Sequence, residues 1–271
     1  MQPTLYTGLA KKLPTFLYKY LAKRWINYAF PRHLFIELNT TCNLSCSYCP
    51  RPQINEEMDY EVFRKIVDEA SQYGKRSFSL HLFGEPLLYK RIFESINYLK
   101  EKGHTVLLTT NGTLLDKFAK QLMECGVDRI IWTWGRNALL PQTIKIIKKV
   151  LLVRVFNGQI TKEEKESLKG CKFEYKELHN YGGNILSNLT LPTRYACYHL
   201  WLAPAIRYNG DFTLCCNDPN GDLVIGNIKE KSINELWNSE QVWKQRVNQL
   251  NGVYCGICHK CNVWSTYPNI M

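Results

Sequence analysis

Between residues 33 and 178 the chain alternates between two hydrophobic rhythms, and this alternation limits the fold more than any other feature. HLFIEL, SFSLHLF, TVLLTT, RIIWTW, VLLVRVF and KFEYKEL are short runs rich in branched and aromatic residues, the pattern of strands. Between them, DYEVFRKIVDEASQYG, YKRIFESINYLKEKG, LLDKFAKQLMECG, LPQTIKIIKK and TKEEKESLKG set apolar residues three or four apart, the pattern of helices, several of them closing on Gly. Strand, helix, strand repeated in this way predicts parallel strands joined by right-handed crossovers. Six such strands predict an α/β fold, a partial (β/α)6 TIM-like barrel short of the eight strands of a closed one.

In such folds ligands collect where the carboxyl ends of the strands open. Thr40 to Pro50, TTCNLSCSYCP, follows the first strand and carries Cys42, Cys46 and Cys49; HLFGEP follows the second strand and TTNGT the third. Three thiols spaced C-x3-C-x2-C can hold one metal centre but leave it a ligand short. A structural zinc site needs a fourth ligand nearby, and none is at hand. A 4Fe–4S cubane on three cysteines keeps one iron open to another molecule.

The N-terminus lacks the apolar block and cleavage site of a signal peptide, and no apolar run reaches eighteen residues, so a cytoplasmic protein is expected. There thiols stay reduced, and eleven cysteines read as metal ligands more readily than as disulfides. Residues 1–32 are basic, with no acidic residue, and Leu13, Phe16, Leu17, Tyr20, Leu21 and Trp25 recur at helical spacing. They predict a basic amphipathic helix, packed on the main domain or, through residues 9–29, resting on an anionic membrane surface. No nucleic-acid recognition motif accompanies the net charge of +11.

Past Leu178 the alternation stops. Residues 179–271 read as a linker and a cysteine-rich module with Cys197, Cys215, Cys216, Cys255, Cys258 and Cys261. Asn209-Gly210 marks a hairpin within APAIRYNGDFTLCC, and one helix is expected from about Ser232 to Leu250. Three segments thus follow: 1–32, the barrel at 33–178, and the module at 179–271, a small hairpin-plus-helix unit.

The cysteine motif with Tyr48, after a first strand and before a run of βα units, resembles the radical S-adenosylmethionine (SAM) superfamily. The resemblance implies that SAM chelates the open iron and is cleaved to a 5'-deoxyadenosyl radical, with an electron from a donor such as flavodoxin or ferredoxin. It also implies that Gly84 and Glu85 form the segment that meets the SAM ammonium, that Tyr48 contacts adenine, and that Thr110 and Asn111, beside Thr109, meet the ribose. Trp132 and Trp134 replace a polar motif at the fourth strand end and read as packing residues. His179, Asn180 and Tyr181 lie where a substrate could be contacted, though a loop with only structural hydrogen bonds is the preferred reading.

The C-terminal pattern is similar to the SPASM and Twitch modules of the same superfamily, which carry auxiliary 4Fe–4S clusters. It implies two clusters in all, the auxiliary one on Cys197, Cys215, Cys258 and Cys261, with Cys255 as rival for one of the last two. The resemblance also gives two outcomes on a peptide or an amino sugar or cyclitol. Cys216 could donate a hydrogen atom and so epimerise a carbon, or a base such as Asp218 could deprotonate the radical and so dehydrogenate it. A different class of function is a zinc-stabilised binding protein for an acidic partner.

Overall fold

The computed structural model describes residues 29–135, 137–187 and 196–263, so the N-terminal helix expected over residues 1–32 lies almost wholly outside the described residues. The described chain divides into two compact units, residues 35–178 with 207–209, and the remainder.

In the first unit the strands are β1 (His33–Ile36), β2 (Ser77–Ser79), β3 (Thr105–Thr110), β4 (Arg129–Thr133), β5 (Leu151–Phe156) and β6 (Lys172–Lys176). They lie in the order β6-β5-β4-β3-β2-β1, and β2 through β6 pair in parallel. The helices are α1 (Tyr60–Ser71), α2 (Ile92–Glu101), α3 (Leu115–Glu124), α4 (Pro141–Ile147) and α5 (Lys162–Ser167). Six strands with helical crossovers are the partial barrel that the alternation predicts.

Helix α1 shows why the pattern folds in this way. Asp59 caps it by accepting from Glu61 N at 2.7 Å, and Phe63, Ile66, Val67 and Ala70 are buried along one stripe. Burying each of the larger side chains contributes about 1.5–3 kcal/mol. The chain leaves through Gly74 at φ +82, a left-handed turn that favours glycine. In β5 burial alternates strictly, with Leu151, Val153 and Val155 buried and Leu152, Arg154 and Phe156 on the other, more open face.

The second unit holds α6 (His199–Leu202) and an antiparallel meander of β7 (Ala205–Ile206), β8 (Asp211–Thr213) and β9 (Val224–Asn227). Gly210 makes the expected hairpin turn at φ +94. Three helices follow: α7 (Ile233–Trp237), α8 (Glu240–Leu250) and α9 (Ile257–Lys260). The single helix expected from Ser232 to Leu250 is therefore two. Ser232 caps α7 through a capping box, and Ser239 opens α8 by accepting from Val242 N. A serine in the middle of an apolar period was the stop-and-restart signal. Strand β9 was not foreseen from the sequence.

Candidate active site and auxiliary cysteine site

The Cys42 to Cys49 loop is fastened at both ends. Thr40 N donates to Glu56 O at 2.9 Å, while the Thr40 hydroxyl donates to Ile54 O at 2.8 Å and accepts from Glu56 N at 2.9 Å. Arg51 Nη1 closes the loop on Thr40 O at 3.0 Å. Within it Cys49 N donates to Cys46 O at 3.0 Å, and all three thiols are half-buried. Burial first, and then the neighbouring thiols of Cys46 and Cys42, push the Cys49 thiol up.

HLFGEP brings the second loop against this one. Glu85 N donates to Thr41 O at 2.8 Å and Asn39 Nδ2 donates to Glu85 O at 3.1 Å. Gly84 permits that approach, because a Cβ there would collide with the Asn39 carbonyl. The Glu85 carboxylate is buried and accepts from Thr110 Oγ1 at 2.7 Å, Leu87 N at 3.2 Å and Asn111 N at 2.8 Å. It is thereby the bolt between the second and third strand-end loops. Burial raises its pKa, and those same three hydrogen bonds pull it back.

Thr110 is buried, and its hydroxyl both donates to Glu85 and accepts from Gly112 N at 3.1 Å. The expected ribose contact for Thr110 is thus revised to a structural one; Thr109, on the other face of β3, has the uncommitted hydroxyl. Asn111 Nδ2 reaches Asn43 Oδ1 at 2.8 Å and Cys42 Sγ at 3.7 Å, which ties the third loop to the cysteine loop. Tyr48 meets Phe156 of β5 with ring centroids 5.9 Å apart. Trp132 packs: it is fully buried, and its Nε1 donates to Asn137 Oδ1 at 3.3 Å.

In the second unit, Cys197, Cys215, Cys258 and Cys261 line one cavity together with Gly182, His199, Leu200, Asn217, Gln249, Tyr254, Ile257 and Val263. Cys255 and Cys216 are absent from that lining. Burial first, then the neighbouring Cys216, Cys197 and Cys258, drives the Cys215 thiol well above its ordinary range. Backbone amides point at the sulfurs: Asn217 N to Cys215 at 3.3 Å and Val263 N to Cys261 at 3.4 Å. Gln249, which nothing in the sequence singled out, accepts from Cys197 N at 2.8 Å and donates to Cys258 Sγ at 3.3 Å.

Asn180 bonds Lys260 O and Asn262 at the end of α9, and a Cβ on Gly182 would collide with Ile257. The 179–183 turn therefore braces the cysteine helix. Asp218 accepts from Thr213 Oγ1, Gly221 N, Asp222 N and Leu223 N at 2.8–3.0 Å. Its carboxylate closes a turn and has no oxygen open to a substrate proton, so the role of base is withdrawn. Cys216 Sγ lies 3.9 Å from His199 Nε2.

Among the described residues no three Cys, His, Asp or Glu side chains are close enough to hold a single metal ion. A zinc bound by thiolates would need sulfurs about 3.8 Å apart, from Zn–S bonds of about 2.3 Å in a tetrahedron. Thiolates that each bind a separate iron stand wider apart. The donor sets, three thiolates at one strand-end mouth and four around a cavity, suit iron–sulfur clusters of the open and closed kinds.

Comparison with known proteins bears on both sites. Residues 36–159 match the radical SAM superfamily, and residues 197–262 match an iron–sulfur cluster-binding domain of the SPASM type. A tungsten-containing aldehyde ferredoxin oxidoreductase cofactor-modifying protein of Pyrococcus furiosus is 33% identical over 107 residues, 38% of this chain but only 30% of that relative. The S-adenosyl-L-methionine-dependent 2-deoxy-scyllo-inosamine dehydrogenase of Niallia circulans is 24% identical over 84% of this chain and 91% of its own length. The fold is shared with the crystal structure of BtrN in complex with AdoMet and 2-DOIA, at TM-score 0.65 and 23% identity over 86% of this chain and 94% of that one. It is also shared with Streptococcus suis SuiB bound to precursor peptide SuiA, at TM-score 0.65 and 15% identity over 97% of this chain and 75% of that one. By its two matched segments the chain belongs to the radical SAM superfamily and carries an iron–sulfur cluster-binding domain after its barrel.

Proposed function

We propose that the chain catalyses the SAM-dependent two-electron dehydrogenation of a hydroxyl-bearing carbon in a small polyhydroxylated molecule such as an amino cyclitol. The observation that carries this reading is the single four-cysteine cavity, in a chain that aligns almost end to end with an amino cyclitol dehydrogenase. When bound, SAM on its 4Fe–4S cluster supplies a 5'-deoxyadenosyl radical, and the auxiliary cluster supplies an acceptor for the second electron.

Cys42, Cys46 and Cys49 hold the first cluster, with Gly84 giving the room for the neighbouring loop and Tyr48 flanking the mouth. Cys197, Cys215, Cys258 and Cys261 hold the second. Glu85 and Asn111 act by fixing the loops on which these groups stand. An external reductant of the flavodoxin or ferredoxin type supplies the first electron. No helix among the described residues is long and apolar enough to cross a membrane.

The test is turnover of anaerobically reconstituted protein with SAM, reductant and 2-deoxy-scyllo-inosamine as probe. One ketone formed per 5'-deoxyadenosine, lost in the Cys42, Cys46 and Cys49 triple-alanine variant, is the expected result. 5'-Deoxyadenosine without any oxidised cyclitol would remove 2-deoxy-scyllo-inosamine itself as the substrate. A second reading, epimerisation, is favoured by the Cys216 thiol beside His199, outside the cavity lining. A product that gains one deuterium in heavy water and keeps its oxidation level would establish it instead.

A further inference from the structure

The more open face of β4, β5 and β6 carries polar groups that neither cysteine site uses. Thr133 pairs with Arg154, and Arg154 with Glu174, in adjacent strands, so their side chains share one face. Phe156, two residues past Arg154, shares it too and touches Tyr48 of the cysteine loop, so this is the face that looks into the barrel beneath the mouth.

Arg154 Nε donates to Glu174 Oε2 at 2.7 Å, and Lys176 Nζ lies 3.3 Å from Glu174 Oε1. One carboxylate thus serves two cations. The Arg154 side chain is only 18% exposed, yet its two terminal nitrogens bond to no described residue. Glu174 holds the guanidinium at Nε and leaves the outer fork presented.

His81 closes the cluster from the far side. It lies just past β2, with two strands between it and β5 in the sheet order, and Arg154 and Lys176 nevertheless act on it. They do so across the concave interior. Burial, and then those two cations, hold its imidazole neutral, with a pKa of about 3. Its Nδ1 is buried without a partner, and so is Thr109 Oγ1 on the interior face of β3. The outer fork of Arg154, His81 Nδ1 and Thr109 Oγ1 are thus polar groups without a described partner on the interior face of the same sheet.

We infer that Arg154, fixed by Glu174, is a substrate-specificity residue that takes an oxyanion, phosphate or carboxylate, on the substrate, with His81 and Thr109 meeting its hydroxyls. The inference rests on the proposed dehydrogenation of a small polyhydroxylated molecule, and it adds to the cyclitol frame a negatively charged group. Planar guanidinium and oxyanion geometry match in a two-pronged bond, which a lysine cannot reproduce.

The test is equilibrium dialysis of radiolabelled inorganic phosphate against reconstituted holoenzyme with saturating SAM, so that any place serving the SAM carboxylate is already filled. The wild type is expected to bind one phosphate per chain saturably, weakened at least about tenfold in Arg154→Gln, as for loss of a charge-assisted pair. Because Arg154→Gln leaves Glu174 with Lys176 as its remaining described ion-pair partner, the double variant Arg154→Gln with Glu174→Gln is measured beside it and should also lose the site. Arg91→Gln, a surface arginine paired with Glu94, should bind as the wild type does. No saturable phosphate in the wild type, phosphate bound only when SAM is absent, or equal binding in the Arg154 variants overturns the inference. 5'-Deoxyadenosine release by the same wild-type preparation is read separately. Its absence with the phosphate site intact removes the radical reading and leaves the site, and the converse removes the site alone.

Discussion

Glu85 has two possible duties, and replacing it separates them. As a ligand to the SAM ammonium its loss would weaken SAM binding and leave the metal-free fold alone. As the bolt described above its loss must weaken the fold itself, because Thr110 Oγ1, Leu87 N and Asn111 N lose a common acceptor. Thr110 and Glu85 are both buried, at 2% exposure each, so water does not readily replace the carboxylate there. Hydrogen bonds to a charged acceptor are each worth about 1.5–3 kcal/mol, and the partly buried Asn111 amide recovers some of its share from solvent. Glu85→Ala is therefore expected to lower the unfolding free energy by about 3–5 kcal/mol, a large part of an ordinary domain's stability. The assay is urea denaturation of the metal-free protein followed by tryptophan fluorescence, with Glu85→Gln beside it. Glutamine keeps one acceptor but turns an amide N–H toward a donor, so an intermediate loss is expected. An alanine variant within about 1 kcal/mol of the wild type, with SAM binding abolished, would refute the bolt and restore the direct contact.

Four further outcomes follow from the same geometry. Cys255→Ser should keep its full iron, whereas Cys258→Ser should lose about four irons per chain after reconstitution. Gln249→Leu removes the donor to Cys258 and should shift the midpoint potential of the auxiliary cluster downward; an unchanged potential in a chain lacking the first three cysteines would show the contact idle. Gly84→Ala places a methyl group into the Asn39 carbonyl and should cost about 1–3 kcal/mol or more, with loss of SAM binding measured by dialysis. Glu37 is buried and its pKa is raised to about 7, by burial first, against the opposing charge of Arg207. A carboxyl whose folded pKa is raised adds stability that is full below its unfolded value, near 4.5, and lost as pH rises through 7. Stability of the wild type should thus fall by about 3 kcal/mol relative to Glu37→Gln between pH 4.5 and 8, read from urea midpoints.

The barrel was legible because strand and helix periods are local, and each of the six strands falls within the run that foretold it. The cysteine mouth was legible for the same reason, since a loop after a parallel strand has one place to go. What a side chain does there was less so. Thr110 and Asp218 looked like functional groups in a string, but a hydroxyl or carboxylate in a turn often satisfies backbone donors first, and both do. His81, Arg154 and Glu174 fall at positions with no common period. Arg154 and Glu174 meet through the register of β5 and β6, and His81 comes to act with them only through the arrangement of the whole sheet, which no residue carries alone.

The choice between Cys255 and Cys258 shows where the limit lies. In YCGICHKC the C-x2-C pair occurs twice, so spacing cannot rank the two, and no amount of ligand chemistry distinguishes one thiol from another. A glycine does. Gly256 takes φ +54, a turn that favours glycine, and starts α9 immediately after it. Cys258 and Cys261, three apart across that helical turn, come onto one face and enter the cavity, while Cys255 stays on the near side of the turn with Asn248 Nδ2 3.9 Å from its sulfur. The residue that decides which cysteines line the cavity is thus one with no side chain to offer, and a left-handed turn at Gly256 would have to be recognised before the sulfur count could be.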